Sequence, residues 1–188
     1  MPFDAAAGRQ RLISIIKERS FQTGPEMKLA SGKTSTFYFN MKPTMLHAEG
    51  ANLIANLILD RIADLNVDLV GGLEMGAVPI ASAVAAVSHE RGKAIDAFFV
   101  RKQAKEHGTR SLVEGLPKGA TMAGRSLVIV EDVTTTGGSA LKAAVALREE
   151  GATILRVVTI VDREEGAADA FASAAINFQP ILTLKDFS

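Results

Sequence analysis

An acidic pair and a loop rich in hydroxyl groups and glycine follow one another in the second half of the chain. The apolar run 127–130 leads into Glu131 and Asp132, and the residues after Val133 read Thr-Thr-Thr-Gly-Gly-Ser over 134–139. Backbone N–H groups and hydroxyls in such a loop can surround a phosphate, and the dipole of a following helix favours an anion there. The two carboxylates would repel a bare phosphate but suit sugar hydroxyls or Mg²⁺. This pattern predicts a site for a phosphorylated sugar; the alternative is an ordinary strand-to-helix turn with an aspartate cap.

A second group of residues carries positive charge. Arg101, Lys102, Lys105 and His107 all fall within 101–108. Cations in this density can neutralise a departing pyrophosphate, and charges placed where charge develops in a transition state are usually the largest catalytic contribution. The alternative is a solvated charged loop, which is a common role for such runs.

Two further segments offer contacts for a flat, acidic molecule. A glycine-containing turn over 31–33 leads into the aromatic residues Tyr38 and Phe39, which could stack on a base or simply fill the core of a hairpin. Arg163 follows Asp162 at the end of an apolar run, and its planar guanidinium could hold a carboxylate through two hydrogen bonds. The alternative for Asp162 and Arg163 is an exposed turn.

The hydrophobic periodicity predicts the elements that must position these groups. Helices are expected over 5–20, 48–64, 80–91 and 139–150, with a short alanine-rich helix before the final strand. Strands are expected over 69–73, 97–100, 127–130, 154–161 and around 181–183, with two short strands over 27–30 and 36–40 after a break at Gly24 and Pro25. Residues 101–119 are predicted to form a long, mobile loop. Nearly continuous apolar strands that alternate with helices indicate a parallel α/β sheet covered on both faces.

Composition and charge exclude several classes of protein. The 188 residues carry no net charge at neutral pH and no cysteine. Nothing on the scale of the chain therefore attracts nucleic acid or an acidic membrane, and disulfide or thiolate chemistry is excluded. The first residues do not resemble a signal peptide and no apolar run is long enough to span a membrane, which predicts a cytoplasmic protein. Loop 134–139 matches neither a Walker A nor a dinucleotide-binding fingerprint, so nucleoside triphosphates and dinucleotides are not its natural ligands.

Residues 128–139 resemble the signature with which type I phosphoribosyltransferases bind phosphoribosyl pyrophosphate (PRPP). The pattern R-K-x-x-K-x-H-G over 101–108 resembles the catalytic loop of the orotate phosphoribosyltransferases within that group, and 31–38 is similar to their segment S-G-x-x-S-x-x-Y. The resemblance runs in order over about 28–163. It implies an enzyme that transfers the 5-phosphoribosyl group from PRPP to orotate, giving orotidine 5′-monophosphate and pyrophosphate, in de novo pyrimidine biosynthesis. A purine or uracil phosphoribosyltransferase, or a PRPP-sensing regulator, remains the alternative.

The resemblance also implies an architecture and an assembly. It predicts the α/β type I phosphoribosyltransferase fold, with a mostly parallel central sheet flanked by helices and a small N-terminal hood. One domain would span 1–188, with the helix and hood in about 1–45 and the PRPP-binding core in about 46–188. A homodimer is expected, in which loop 101–119 acts on the neighbouring subunit. Mg²⁺ is expected as cofactor, bound mainly through PRPP and not by direct side-chain ligation.

Each site residue takes a role by the same resemblance. The catalytic residues would be Lys105, His107, Asp132 and Glu131. PRPP would be bound by Arg101, Lys102, Lys105, His107, Glu131, Asp132, Val133, Thr134, Thr135, Thr136, Gly137, Gly138 and Ser139. Orotate would be bound by Thr135, Arg163, Tyr38 and Phe39.

The chain departs from the family pattern at two places. Many members have a lysine that reaches the PRPP site where this chain has Ala30, and Lys28 or Lys33 are the nearby replacements. The segment 70–80, a glycine-rich turn after a strand, resembles the family's pyrophosphate loop, but Glu74 and Met75 stand where some members have tyrosine and lysine. The role of Glu74 is left open by the sequence, with metal or solvent as its expected neighbours.

Overall fold

The protein is described by a computed structural model that covers residues 3–28, 34–103 and 112–187. The helices are α1 (Ala5–Arg19), α2 (Lys42–Met45), α3 (Ala48–Arg61), α4 (Ala77–Glu90), α5 (Gly138–Glu149) and α6 (Ala167–Ser173). The strands are β1 (Phe21–Lys28), β2 (Thr34–Phe39), β3 (Leu69–Leu73), β4 (Asp96–Val100), β5 (Val113–Glu114), β6 (Ser126–Thr134), β7 (Thr153–Asp162) and β8 (Phe178–Thr183). A 3₁₀ turn, Leu184–Phe187, follows β8.

Within these ranges, six strands form one sheet in the order β5-β4-β3-β6-β7-β8. All neighbouring strands run parallel except β5, which pairs antiparallel with β4 at the edge. The predicted mostly parallel sheet is confirmed. Its carboxyl ends bring the residues after β3, β4, β6 and β7 to one edge, where ligands bind in open α/β sheets.

The central strand β6 shows why the sheet is covered on both faces. Successive side chains of a strand point to opposite faces. Val128 and Val130 pack in the cluster that contains the buried residues of α1, α3 and α4. Leu127 and Ile129 pack instead in the cluster formed with α5 and α6. Both faces are therefore apolar, which gives the uninterrupted hydrophobic run seen in the sequence.

The sequence did not predict helix α2, and three strands differ from the predicted elements. β1 begins at Phe21 and continues through Gly24 and Pro25, where the pairing with β2 shifts register between Thr23 and Met27. A proline is tolerated at such an irregularity because the strand does not need its N–H there. The predicted loop 101–119 contains β5, and β6 extends beyond the acidic pair to Thr134, which pairs with Asp162 of β7.

The β1–β2 hairpin is attached to the rest of the chain through aromatic contacts. The ring of Phe39 lies 4.9 Å from that of Phe21 and 5.0 Å from that of Phe187, centroid to centroid. Phe187 belongs to the 3₁₀ turn, so the hairpin packs against the end of the chain. In the three ranges that the structure covers, no helix has both the length and the apolar character needed to cross a membrane.

Candidate active site

The acidic pair lies near the carboxyl end of β6 and is largely buried. Glu131 is 9% exposed, and its Oε2 has no hydrogen-bond partner among the described residues. Burial, reinforced by the neighbouring Asp132, raises the pKa of Glu131 to about 8. Burial also raises the pKa of Asp132 above its usual range. Two carboxyl groups that are shielded from water in this way are suited to accept hydrogen bonds from the hydroxyl groups of a ligand, or to bind a cation that arrives with it.

Gly76, at the start of α4, brings the backbone close to both carboxyl groups. A Cβ atom at Gly76 would lie 2.8 Å from Asp132 Oδ1 and 3.3 Å from Glu131 Oε1. The glycine-rich turn after β3 therefore forms one wall of the acidic site. Sequence analysis assigned this turn to pyrophosphate but did not show that it touches the acidic pair.

The predicted phosphate loop connects β6 to α5. Gly137 has φ +79°, a left-handed conformation that favours glycine, and a Cβ there would lie 2.9 Å from the ring of Phe171. α5 begins at Gly138, so its free N–H groups face the loop. A small pocket at this point is lined by Glu131, Val133, Thr134, Thr135, Gly137, Gly138, Ser139 and Ala140. The pocket brings together all but two of the predicted residues of the segment 131–139; Asp132 and Thr136 do not line it.

The hydroxyl group of Thr134 is the second unsatisfied polar atom in this region. Thr134 is 2% exposed, and its Oγ1 lacks a hydrogen-bond partner within the described ranges. Buried polar groups are nearly always hydrogen-bonded, so an unsatisfied pair of oxygens beside one pocket indicates a place where a polar ligand binds.

The first two cations of the predicted catalytic loop lie directly after β4, and the charge of Lys102 reaches the acidic pair. The N–H of Arg101 donates to the carbonyl of Leu112 at 2.8 Å, and its guanidinium lies 3.7 Å from Glu114. The positive charge of Lys102 acts on Glu131, where it opposes the rise in pKa caused by burial. The other two predicted loop residues, Lys105 and His107, lie outside the described residues, as do Ala30 and Lys33.

A groove beside this loop contains a further cation that sequence analysis missed. It is lined by Leu73, Val100, Arg101, Lys102, Leu112, Ser139, Lys142, Ala143 and Ala146. Lys142 lies three residues after Ser139 on α5, and residues at that spacing share a helix face. That spacing was visible in the sequence, but the partners across the groove were not.

Arg163 is buried, so the alternative of an exposed turn is wrong for this residue. It is 6% exposed, its guanidinium lies 4.6 Å from the centre of the Phe37 ring, and its Nη2 donates to Ser35 Oγ at 3.2 Å. Glu165 lies 2.8 Å from its Nε as an ion-pair partner. The Arg163 N–H donates to the carbonyl of Thr134 at 2.9 Å. The guanidinium therefore lies against the hairpin, while the backbone of Arg163 is bonded to the end of β6.

The aromatic residues of β2 divide between the surface and the core. Tyr38 is 41% exposed, whereas Phe39 is 6% exposed and packs in the aromatic cluster with Phe21 and Phe187. The side chain of Phe39 thus occupies the core, which differs from the expectation that it lies beside the base. Phe37, which sequence analysis did not single out, is the aromatic residue in contact with Arg163. Neighbouring side chains of a strand point to opposite faces, so the positions of Phe37 and Tyr38 in the sequence could have predicted that these two side chains lie on different faces of the hairpin.

The donor atoms around the acidic pair fit Mg²⁺ that is brought by a ligand. Among the described residues, no group of three or more His, Cys, Asp or Glu side chains could hold a metal ion. The unpaired Glu131 Oε2 and the adjacent Asp132 nevertheless supply carboxylate oxygens, the ligand type that Mg²⁺ prefers alongside phosphate and water.

The burial of Glu131 predicts a pH-dependent stability in the absence of ligand. Its pKa is about 8 in the folded protein against an ordinary value of 4.5, so the folded state binds more protons than the unfolded chain between these pH values. The free energy of unfolding should therefore fall as the pH rises through this window, by a few kcal/mol, since each pKa unit corresponds to about 1.4 kcal/mol.

Thermal unfolding of the wild-type chain and of Glu131→Gln between pH 5 and pH 8.5 measures this effect. The glutamine keeps the size and cannot ionise, so its Tm should exceed the wild-type Tm by more at high pH than at low pH. Titrating groups that do not interact with Glu131 affect both proteins equally and cancel in the difference, whereas Asp132 is coupled to Glu131 and contributes to the measured effect. Two Tm profiles that stay parallel across the range would contradict the assignment.

Comparisons with known proteins place this chain and its fold in one family. The family model of the phosphoribosyl transferase domain matches residues 43–181. An orotate phosphoribosyltransferase of Rhodopseudomonas palustris is 57% identical over 97% of both chains. Crystal structures of the Mycobacterium tuberculosis orotate phosphoribosyltransferase are also similar: the Fe(III) dicitrate complex has a TM-score of 0.83 and 35% identity, with 96% of this chain and 99% of that one covered. The PRPP complex has a TM-score of 0.77 and 31% identity, with 97% and 92% covered. The chain therefore belongs to the orotate phosphoribosyltransferases within the phosphoribosyl transferase family.

Proposed function

We propose that the chain transfers the 5-phosphoribosyl group from PRPP to orotate, giving orotidine 5′-monophosphate and pyrophosphate, in de novo pyrimidine biosynthesis. Relatives named for this activity match nearly the whole chain. The observation on this molecule that carries the proposal is the position of Arg163. Its backbone N–H donates to the carbonyl of Thr134 at the end of β6, and its buried guanidinium, which pairs with Glu165 in this structure, would be the binding group for a ligand carboxylate. Orotate has that carboxylate, and uracil, adenine and hypoxanthine do not.

The charges around the site suit a displacement at C1 of the ribose. N1 of orotate would bond to C1 and give up its proton to the released pyrophosphate, while the C1–O bond to pyrophosphate breaks. Positive charge therefore grows on the sugar and negative charge grows on the leaving group. Glu131 and Asp132 would stabilise the sugar through its hydroxyl groups. Arg101, Lys102, Lys105 and His107 would stabilise the pyrophosphate. No covalent nucleophile is needed, so the rate depends on positioning and electrostatics.

The phosphate loop would hold the other end of PRPP. Residues 134–139 offer N–H groups at the start of α5 and hydroxyl groups from threonine and serine to the 5′-phosphate. Val133, Thr135 and Tyr38 complete the proposed contacts, with Thr135 and Tyr38 toward orotate. The hydroxyl of Thr134 has no hydrogen-bond partner among the described residues, so it gives this loop a buried group that a ligand oxygen could satisfy.

Magnesium is part of the proposed reaction. When bound with PRPP it would neutralise charge on the diphosphate, and Glu131 and Asp132 are the residues that would lie near it.

We also propose one domain over 1–188, with the helix and hood in about 1–45, and a homodimer in which loop 101–119 acts on the neighbouring subunit. We propose a cytoplasmic location because the sequence contains no cysteine and therefore no disulfide framework, which is typical of proteins in a reducing compartment.

The proposal is tested by following orotate absorbance with purified protein, PRPP and Mg²⁺. Orotate should be consumed only when PRPP and Mg²⁺ are both present, and chelation with EDTA should stop the reaction. Uracil, hypoxanthine and adenine serve as control acceptors and should give no nucleotide. Turnover of uracil without orotate would overturn the acceptor assignment, and PRPP binding without turnover of any base would favour a PRPP-sensing regulator.

A further inference from the structure

We propose that Glu74 is a positioning residue that holds the start of the cationic loop, and with it the ammonium group of Lys102, beside the acidic pair. The inference rests on the proposed function, because it assigns Glu74 to the use of PRPP. It gives a role to a residue that stands where some members of the family have tyrosine.

Glu74 makes one contact with the end of β4 and one with the loop that follows it. Its backbone N–H donates to the carbonyl of Val100 at 2.9 Å, directly after the paired residues Leu73 and Val100 at the ends of β3 and β4. Its side-chain Oε1 accepts the backbone N–H of Lys102 at 3.1 Å. One residue therefore links the turn after β3 to both the end of β4 and the loop that follows it.

The second contact is made beyond the end of the sheet. β4 ends at Val100, and the N–H of Arg101 is satisfied by the carbonyl of Leu112 on the returning segment. Lys102 is the next residue, and its N–H is bonded to the Glu74 carboxylate instead of to a strand. Arg101 is thus held by a backbone hydrogen bond, and the side chain of Glu74 holds the next residue, Lys102.

The segment that contains Glu74 also touches the acidic pair. Gly76, two residues later, lies against the carboxyl group of Asp132. The charge of Lys102 in turn acts on Glu131. Glu74 therefore connects Lys102, one of the proposed leaving-group cations, to the short turn that lies against Glu131 and Asp132.

The negative charge of Glu74 is unfavourable for direct contact with a diphosphate, since like charges repel. Its oxygen is nevertheless a good acceptor for a backbone N–H, and a charge-assisted bond of this kind is stronger than a neutral one. We therefore infer that Glu74 contributes through its hydrogen bond with the Lys102 N–H and not through contact with the ligand. An acceptor oxygen is required for this role, and a full negative charge is not.

Two substitutions at Glu74 separate the acceptor from the charge. Glu74→Gln keeps an oxygen that can accept the Lys102 N–H, and Glu74→Ala removes it. With alanine, the apparent KM for PRPP should rise about fivefold, the change expected when one hydrogen bond that pre-organises a binding loop is lost. The kcat at saturating PRPP should stay within about twofold, because bound PRPP itself orders the cation, and Glu74→Gln should stay within about twofold of wild type in both constants. Glu90→Ala, at the exposed end of α4, is the control for a lost carboxylate.

Amide hydrogen exchange at Lys102, measured by NMR without substrate, tests the contact directly. The Lys102 amide should exchange several times faster in Glu74→Ala than in wild type, and at near the wild-type rate in Glu74→Gln. This readout does not depend on any activity, so it separates failure of this inference from failure of the proposed function. A Lys102 amide that exchanges equally in all three proteins would overturn the inference.

A double-mutant cycle tests whether Glu74 acts through Lys102. If it does, Glu74→Ala should change the KM for PRPP by less than about twofold when Lys102 is already alanine. A fivefold effect that persists in the Lys102→Ala background would show that Glu74 acts on another group. A Glu74→Gln protein as impaired as Glu74→Ala would show that the charge is required, and would also overturn the inference.

Discussion

Replacing Gly76 with alanine should reduce kcat/KM for PRPP by about 100-fold or more. The added Cβ would lie 2.8 Å from Asp132 Oδ1 and 3.1 Å from its Cγ, closer than ordinary van der Waals contact. Both carboxyl groups of the acidic pair would have to move, and a displacement of about 1 Å in a catalytic site can cost about 100-fold in rate. The backbone itself accepts alanine, because Gly76 has φ −62° and ψ −41°. The loss should therefore appear in activity far more than in folding.

Steady-state kinetics with thermal unfolding of the same preparation tests this prediction. Gly24→Ala is the matched control, since a Cβ at Gly24 has no atom within 4 Å and the residue lies in the hairpin strand β1. The control should keep wild-type kinetics, and both variants should unfold cooperatively. Kinetic constants for Gly76→Ala within about threefold of wild type would mean that the acidic pair is not confined by this turn.

Replacing Arg163 with glutamine should raise the KM for orotate by about 100-fold while the KM for PRPP stays within about threefold. Truncating one partner of a buried charge pair in a binding site commonly costs about 2–5 kcal/mol, and 100-fold corresponds to roughly 3 kcal/mol. Arg163 is 6% exposed, so water screens its charge poorly. Glutamine retains a donor toward Ser35 but has neither the charge nor the two-pronged geometry of guanidinium.

Two variants make the Arg163 experiment decisive. Arg163→Lys keeps the charge without the planar fork and should give an intermediate KM for orotate. Arg148→Gln removes an exposed arginine of α5 and should leave both constants unchanged. Equal increases in the KM values for PRPP and orotate with Arg163→Gln would assign Arg163 to general support of the site, and not to the acceptor.

Much of the fold was visible in the sequence because its strands are buried on both faces. The run 127–130 is apolar without interruption because Leu127 and Ile129 pack under α5 and Val128 and Val130 pack under the helices of the other face. Such runs identify strands reliably, but they do not mark where pairing stops. β6 continues through polar Thr134 because that residue pairs with Asp162, a contact made 28 positions away.

The short strands show the same limit more clearly. β5 has two residues, and it exists because Val113 pairs with Val100 at the edge of the sheet. β1 crosses Gly24 and Pro25, residues that usually end a strand, because β2 is paired on either side of the irregularity. Local composition has no information about such partners, so both segments were assigned to breaks or loops.

The candidate site divides along the same line. Residues 131–139 are contiguous, and their types, order and spacing alone indicate a phosphorylated sugar, since a strand end followed by a helix start must bring neighbours in sequence together. The contacts that define the remainder join distant segments: Glu74 with Lys102, Gly76 with Asp132, and Phe37 with Arg163. The family resemblance had placed Phe39 beside the base, but packing with Phe21 and Phe187 places it in the core. A binding site formed by one continuous stretch of chain can be predicted from the types and order of its residues. A site shared between strands depends on how the sheet brings the strand ends together, which only the tertiary structure decides.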